Sequence, residues 1–411
     1  MIKYLYSLPS LHAKSDLTYI MKVLAELDNP QDEVKTIHVT GTNGKGSTSY
    51  YLSSLLKKAG LKTGLFVSPY IREFNERIQI NGNDIPDAIL VKIANQVEAA
   101  IERIQKVEPD FSLVTFEFEV AMAFLYFYEE NCDYAIIEVG IGGEHDKTNV
   151  IKPEVSIITT IGLDHEKIIG PTIFDIAKEK SGIIKNGRSV VLGNIPSEVL
   201  PIIKQKAQKE KAAVYLLGHD FWIRQEDNGE IHYQFENLSL SFAPRPIVEA
   251  FDIGIALTAF FLLNVNLADQ EVEAAIDSTQ ISGRYQILQK EPLIILDGAH
   301  NIQAMDNLLK FIHQIRHNNG KLKVLITMMK DKDIEQVFSL FSADDEVVLT
   351  TIPYPRAAKR ADFPQDIQNR YEYIADLKQA FSKLRSTLKK DDILLVTGSF
   401  YLVSAVLNME G

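Results

Sequence analysis

The stretch IHVTGTNGKGSTSYYL, Ile37 to Leu52, decides how the rest of the chain is read. A β-branched run, Thr36 to Val39, leads into Gly41, Gly44 and Gly46, and Ser47-Thr48 opens a helix expected to end near Gly60. The glycines carry no Cβ to keep backbone amides from turning inward. A helix N-terminus with converging N–H groups attracts an anion. Lys45 adds a point charge suited to β- and γ-phosphates, and Ser47 offers a hydroxyl to a metal or phosphate oxygen. The spacing nevertheless departs from the phosphate-loop pattern of Gly, four residues, then Gly-Lys-Ser/Thr. Only two residues separate Gly41 from Gly44, and Gly46 stands between Lys45 and Ser47. The bland alternative is a glycine-rich turn that merely joins strand to helix.

Bulk properties narrow the field. A chain of 411 residues exceeds one comfortable core, so two domains are expected. Its 43 Lys and Arg against 55 Asp and Glu leave a net charge of −12, which argues against a broad nucleic-acid or anionic-membrane surface. The single Cys132 excludes an intramolecular disulfide framework and a multi-cysteine zinc site, fits a reducing cytosol, and reads as a small buried hydrophobe. The N-terminal MIKYLYSLPSLHAKSDL lacks the apolar core of a secretory signal, and IGIALTAFFLLNV is too short to span a bilayer. The expectation is a cytoplasmic protein with neither nucleic-acid nor membrane partners.

Along the chain, TIHVTG, TGLFVS, YAIIEVG, VSIITTIG and SVVLGN alternate with helix-like stretches, the pattern of βαβ units around a mainly parallel sheet. YLLGHDFWIRQEDNGEIHYQFENLSLSF reads as a small antiparallel patch with its turn at Asp227-Asn228-Gly229. The strand-helix rhythm restarts at about residue 290 with PLIILDGAH and continues through KVLITMM, EVVLTTI and DILLVTGS. Ser282-Gly283 lies in the linker, where a hinge is expected.

The other polar candidates follow strands as the glycine loop does. Ser68 follows TGLFV, Glu138 ends YAIIE, and Asp164-His165 follow VSIITTIGL, which gathers them at the carboxyl edge where open α/β sheets place ligands. An acid at that edge can hold magnesium beside the loop. Lys180, in IAKEKSGIIK, reads by itself as a helix-face lysine.

Eleven segments in series, NPQ, IHVTGTNGKGST, SPYI with NERIQING, TFEF, EVGIGG with DKTNV, GLDHEKIIG, IAKEKSGIIK, SGRYQ, DGAHN, KDKD and VTGSFYLV, carry a resemblance through nearly the whole chain. The chain resembles folylpolyglutamate synthases and the related dihydrofolate synthases, a branch of the Mur-ligase superfamily. The resemblance implies an α/β fold: a P-loop-type, mainly parallel sheet ATPase domain binding ATP and folate over residues 1–283, then a smaller Rossmann-like α/β ligase domain over 284–411. It implies a monomer that phosphorylates the carboxylate of a reduced folate with ATP and passes the acyl group to L-glutamate, leaving ADP and phosphate. By the same resemblance Thr42, Asn43, Gly44, Lys45, Gly46, Ser47 and Thr48 bind ATP, joined by Arg284, Asp297 and His300 from the linker and second domain. Ser68, Glu138 and His165 hold Mg2+. Lys45, Lys180 and His165 are the catalytic set, with Lys180 carbamylated by carbon dioxide. Phe116 and Asp146 border the folate. Read without the family, Arg284 serves equally as an interdomain ion-pair residue, Asp297 as a strand-end cap, and Phe116 as core.

Several residues depart from the family pattern. Tyr70 stands where His is common, Val120 where Thr often follows, Ser282 in place of Pro, and Asp252 in the slot of an Asn that contacts ATP. Glu144 and Lys147 replace an Arg and an Ala beside the DATN segment, which favours polyglutamate extension over the dihydropteroate step. A Mur ligase acting on a UDP-linked muramyl precursor is disfavoured, because only 40 residues precede Gly41 and a UDP-binding domain needs more. A switch or transport ATPase predicts Asn-Lys-x-Asp or Leu-Ser-Gly-Gly-Gln, and neither occurs. The remaining alternative is a non-catalytic nucleotide-binding protein, against which Lys45, Glu138, His165 and Lys180 argue.

Overall fold

The structure, a computed structural model, describes Leu8 and residues 17–164, 166–316 and 320–410. The chain forms two compact units. The first takes the chain up to Arg224 together with Ile231–Phe242 and Glu249–Thr279; the second takes Gln225–Glu230, Ala243–Val248 and Gln280–Gly411.

An eight-stranded sheet organises the first unit. Its strands are β1 (Lys35–Thr40), β2 (Thr63–Phe66), β3 (Ile78–Ile80), β4 (Asn83–Asp84), β5 (Tyr134–Glu138), β6 (Val155–Thr160), β7 (Ser189–Asn194) and β8 (Val214–Leu216), in the order β4-β3-β2-β5-β1-β6-β7-β8. All neighbouring pairs from β2 to β8 are parallel, and β3 and β4 add an antiparallel margin. The alternation of strands and helices in the sequence thus corresponds to a mainly parallel sheet. β1 lies between β5 and β6, with Val39 opposite Glu138 on one side and Ile157 on the other. Five of its six residues are buried because parallel sheets are covered on both faces. One cover is the helix Thr115–Glu129, in which every residue from Glu117 to Phe127 is buried, as expected of a helix apolar around its circumference. Its side chains pack with Phe66, Ala135 and Ile137 from β2 and β5. A second cluster joins Ile158, Val190 and Leu192 to Ile176 and Ala177 of the helix Ile173–Ser181.

A three-stranded sheet of β9 (Phe221–Gln225), β10 (Ile231–Phe235) and β11 (Leu238–Phe242) forms the small antiparallel patch. The tip between β9 and β10 belongs to the second unit. There Gln225 donates to the Arg245 carbonyl, and Gln314 to that of Asp227 at 3.1 Å. The second unit is built on β12 (Gln286–Gln289), β13 (Leu293–Leu296), β14 (Leu322–Ile326), β15 (Glu346–Leu349), β16 (Glu372–Tyr373) and β17 (Ile393–Thr397), ordered β12-β13-β17-β14-β15-β16. Only β12 runs antiparallel. Among the described residues no helix is long and apolar enough to cross a membrane.

Candidate active site

At the carboxyl end of β1 the chain turns sharply into the helix Lys45–Lys58. Gly44 makes the turn in the left-handed region, φ 84°, as the residue before that helix. A Cβ there would lie 2.1 Å from Asp252 Oδ1, so the position excludes side chains on both backbone and steric grounds. The threonines at the end of β6 hold the loop open: Thr42 N donates to the Thr160 carbonyl at 2.9 Å, Asn43 N to Thr160 Oγ1 at 2.9 Å, and Thr159 Oγ1 to the Asn43 carbonyl at 2.5 Å. Thr42 Oγ1 reaches the Gly162 carbonyl at 3.0 Å. Ser47 and Thr48 lie buried in the first helical turn. An apolar end to β6 would have lacked the two hydroxyl anchors, which come from the run Thr159-Thr160, whose position beside β1 only the sheet order reveals.

Two ammonium groups meet on one acceptor. Lys45 Nζ donates to the Gly41 carbonyl at 3.1 Å and Lys180 Nζ to the same oxygen at 2.9 Å. Lys180 does so from the last turn of the helix Ile173–Ser181 and is only 5% exposed. Burial first, and the Lys45 charge second, pull its pKa down to about 7, against weaker attraction from Asp164, Asp146 and Glu179. A pocket opens beside this pair, lined by Thr40, Gly41, Lys45, Gly140, Asp164 and Lys180.

Glu138 ends β5 alongside, with 3% exposure. Its Oε2 accepts from Ser68 N at 2.9 Å and lies 3.7 Å from where a Gly46 Cβ would stand. A buried carboxylate aimed at a glycine of a helix N-terminus, with a serine beside it, is a hard oxygen donor set that suits Mg2+. His165, expected as the third ligand, lies outside the described residues.

The segment after β5 forms the adjoining wall. Thr40 Oγ1 donates to the Gly142 carbonyl at 2.6 Å, Gly143 N to Glu179 Oε1 at 3.3 Å, and Ile141 N to Asp146 Oδ2 at 2.9 Å. The Phe116 ring covers Gly140, where a Cβ would approach it to 2.6 Å, and lies 5.9 Å from the Phe66 ring. Phe116 is therefore both packed against the core and part of this wall. Burial raises the pKa of Asp146, opposed by hydrogen bonds from Thr148, Ile141 and Gly140.

The departures noted in the sequence have structural partners. Lys147 pairs with the fully buried Glu117 at 3.0 Å, Tyr70 lies 5.1 Å from the Arg77 guanidinium, and Val120 is core. The carboxylate of Asp252 rests on Gly44.

Thr42 through Thr48, Ser68, Phe116, Glu138, Asp146 and Lys180 thus gather at one sheet edge of the first unit. Arg284, Asp297 and His300 form a separate group within the second unit. Asp297 follows β13 and accepts from Tyr285 N and Ala299 N, each at 2.8 Å; burial raises its pKa, opposed chiefly by Arg284. The Arg284 guanidinium stacks 4.5 Å from the Phe400 ring, and His300 Nδ1 is 2.8 Å from the Gly298 carbonyl. Thr40, Thr160 and Glu179 are supporting residues to which the sequence had assigned no role, although Thr40 and Glu179 lie within IHVTGTNGKGST and IAKEKSGIIK.

Comparison with known proteins agrees with this architecture. Residues 39–265 match the Mur ligase middle domain, and residues 283–400 match the glutamate ligase domain of Mur ligases. A glycine-loop sheet domain followed by that second domain is the build of a Mur ligase. The chain is 34% identical to the folylpolyglutamate synthase of Lacticaseibacillus casei, over 98% of this chain and 96% of that protein. It is 32% identical to the dihydrofolate synthase/folylpolyglutamate synthase of Bacillus subtilis, over 96% and 94% respectively. The structure of Escherichia coli FolC in complex with DHPP and ADP has a TM-score of 0.87 to it at 27% identity, covering 100% of this chain and 97% of that one. The chain belongs to the folylpolyglutamate synthase and dihydrofolate synthase family of the Mur-ligase superfamily.

Proposed function

We propose that this chain is an ATP-dependent ligase that joins L-glutamate to the γ-carboxylate of a reduced folate. The observation that carries the reading is the meeting of Lys45 and Lys180 on the Gly41 carbonyl, beside a buried Glu138, at an open helix N-terminus. Full-length similarity to proteins named for this activity supports it.

The proposed division of labour is between residues 1–283 and 284–411, although the second compact unit also takes Gln225–Glu230, Ala243–Val248 and residues 280–283. In the first, the amides and hydroxyls of Thr42 to Thr48 cradle the ATP phosphates, with Lys45 as their fixed positive charge. A carboxylate resists an amine because its own charge repels the nucleophile. Transfer of the γ-phosphoryl group forms a C–O–P linkage, breaks the β,γ-bridge and releases ADP. The glutamate amine then attacks the acyl carbon, loses a proton, and phosphate departs with the C–O bonding pair. Ser68 and Glu138 would hold magnesium, which when bound offsets negative charge on the phosphate oxygens. Near neutral pH about half of Lys180 is uncharged at a pKa of about 7, the form that adds to carbon dioxide with loss of a proton to give a carbamate. Phe116 and Asp146 face the folate, and Arg284, Asp297 and His300 serve the nucleotide from the second domain.

A second acceptor, dihydropteroate, is favoured by the double name of the Bacillus subtilis relative. Purified protein given ATP, magnesium chloride and labelled glutamate, with either a reduced folate or dihydropteroate, separates the readings. Equal amounts of ADP and amide product are expected with the folate. Product with dihydropteroate alone replaces folate extension by dihydrofolate synthesis, and no ADP or amide with either acceptor refutes the ligase.

A further inference from the structure

Behind the pocket wall a buried chain of polar groups, starting at residues with no part in the proposed reaction, leads to Asp146. His38, in the middle of β1, is fully buried, and its Nε2 is 2.9 Å from Thr148 Oγ1. The Thr148 hydroxyl donates to Asp146 Oδ1 at 2.5 Å, and Thr148 N donates to the same oxygen at 3.0 Å. The other carboxylate oxygen takes the Ile141 amide at 2.9 Å. We infer that His38 and Thr148 are positioning residues, which orient Asp146 and through it the Gly140-Ile141 wall of the acceptor pocket.

Proton counting fixes the direction of the relay. With Asp146 ionised, the form that its hydrogen bonds from Thr148 and the Ile141 amide favour, Thr148 gives its one hydroxyl proton to the carboxylate, so its oxygen accepts and His38 carries its proton on Nε2. Burial, with Lys185 adding to it, holds the imidazole pKa down at about 3, so this neutral tautomer persists through the physiological range. The cost of the arrangement is visible at His38 Nδ1, a buried acceptor with no hydrogen-bond partner among the described residues. Buried polar atoms left unpaired are destabilising, and an apolar side chain on β1 would avoid the penalty. The benefit lies at the other end. With Thr148 Oγ1 already engaged by His38, its proton has one direction left, toward Asp146. Asp146 then faces Gly140, its Oδ2 3.2 Å from where a Cβ would stand, beneath the Phe116 ring.

That the wall contacts the folate rests on the function proposed above, so the test has one arm independent of activity. In the kinetic arm, Thr148→Val and His38→Leu are expected to raise the KM for folate roughly tenfold, the order of one lost charge-assisted hydrogen bond, with the KM for ATP changed less than about twofold. Thr148→Ser and His38→Gln, which restore the hydroxyl and an N–H at similar reach, should recover most of the loss. Unchanged kinetics, or equal losses for every substrate without recovery by the conservative variants, overturn the inference. In the second arm, 15N spectra of histidine-labelled protein should show His38 as the Nε2–H tautomer from pH 6 to 8, with that resonance perturbed in Thr148→Val. An Nδ1–H tautomer overturns the relay. An Nε2–H tautomer sensitive to Thr148 upholds it even in a protein that ligates no glutamate, which places that failure on the functional reading alone.

Discussion

Replacing Lys180 by Met keeps most of the side-chain volume and removes the amine, and it should erase a specific pH dependence of stability. The folded-state pKa of Lys180 is about 7 against an ordinary 10.5. Between those values the unfolded chain binds more protons at this site than the folded one, so stability rises with pH. Integrating a single site with these constants gives a gain of roughly 2 kcal/mol between pH 7 and pH 9. With the group 5% exposed, solvent does little to screen the effect. Titrating groups remote from Lys180 contribute equally to both proteins and cancel in the difference. Urea unfolding in bicarbonate-free buffer at half-unit pH steps, compared between wild type and Lys180→Met, is the assay. The stability penalty that Lys180 imposes on the wild type should shrink steadily with pH over that window and level off only above the ordinary lysine value of 10.5. A difference that stays flat from pH 7 to 9 would falsify the argument that burial has moved this amine into the neutral range, and with it the rationale for carbamate formation at Lys180.

Lys45→Ala should lower the rate of ADP formation by at least about a hundredfold, the scale of losing one preorganised charge at a transferring phosphoryl group, while the melting transition stays within a few degrees of wild type. An ADP release rate close to wild type would remove Lys45 from the phosphate site. Gly44→Ala forces a side chain into the left-handed region at a cost of about 1–2 kcal/mol and drives its Cβ into Asp252. Urea unfolding should register that loss together with a raised KM for ATP. Asp252→Ala in the same background should recover only the part due to the clash.

Much of the first domain was legible from one segment because its physics is local. A β-branched run, three glycines and a lysine within Ile37 to Leu52 leave few arrangements other than strand, amide-lined turn and helix. The same locality placed Glu138 and Ser68 at strand ends. Lys180 is the contrasting case. Within IAKEKSGIIK it is one of several helix lysines, and only the packing of the helix Ile173–Ser181 beside β1 brings its Nζ to the Gly41 carbonyl and depresses its pKa. Family resemblance named the residue, whereas the physical reason for its reactivity is tertiary. Thr160 and His38 show the same limit. Their partners, Asn43 and Thr148, are 117 and 110 residues away, and no periodicity records such a distance.

By itself the sequence determined the α/β class, the anion-binding turn and the polar groups at strand ends, because hydrophobic period, glycine freedom and strand termini are properties of neighbouring residues. Tertiary structure alone decided which groups share a low-dielectric space. Sheet order set β1 between β5 and β6, and that adjacency brought two lysines onto one carbonyl, aimed Glu138 at Gly46, and buried the His38 relay. Charge, burial and hydrogen bonding act over a few ångströms, and only the folded chain puts those residues that close.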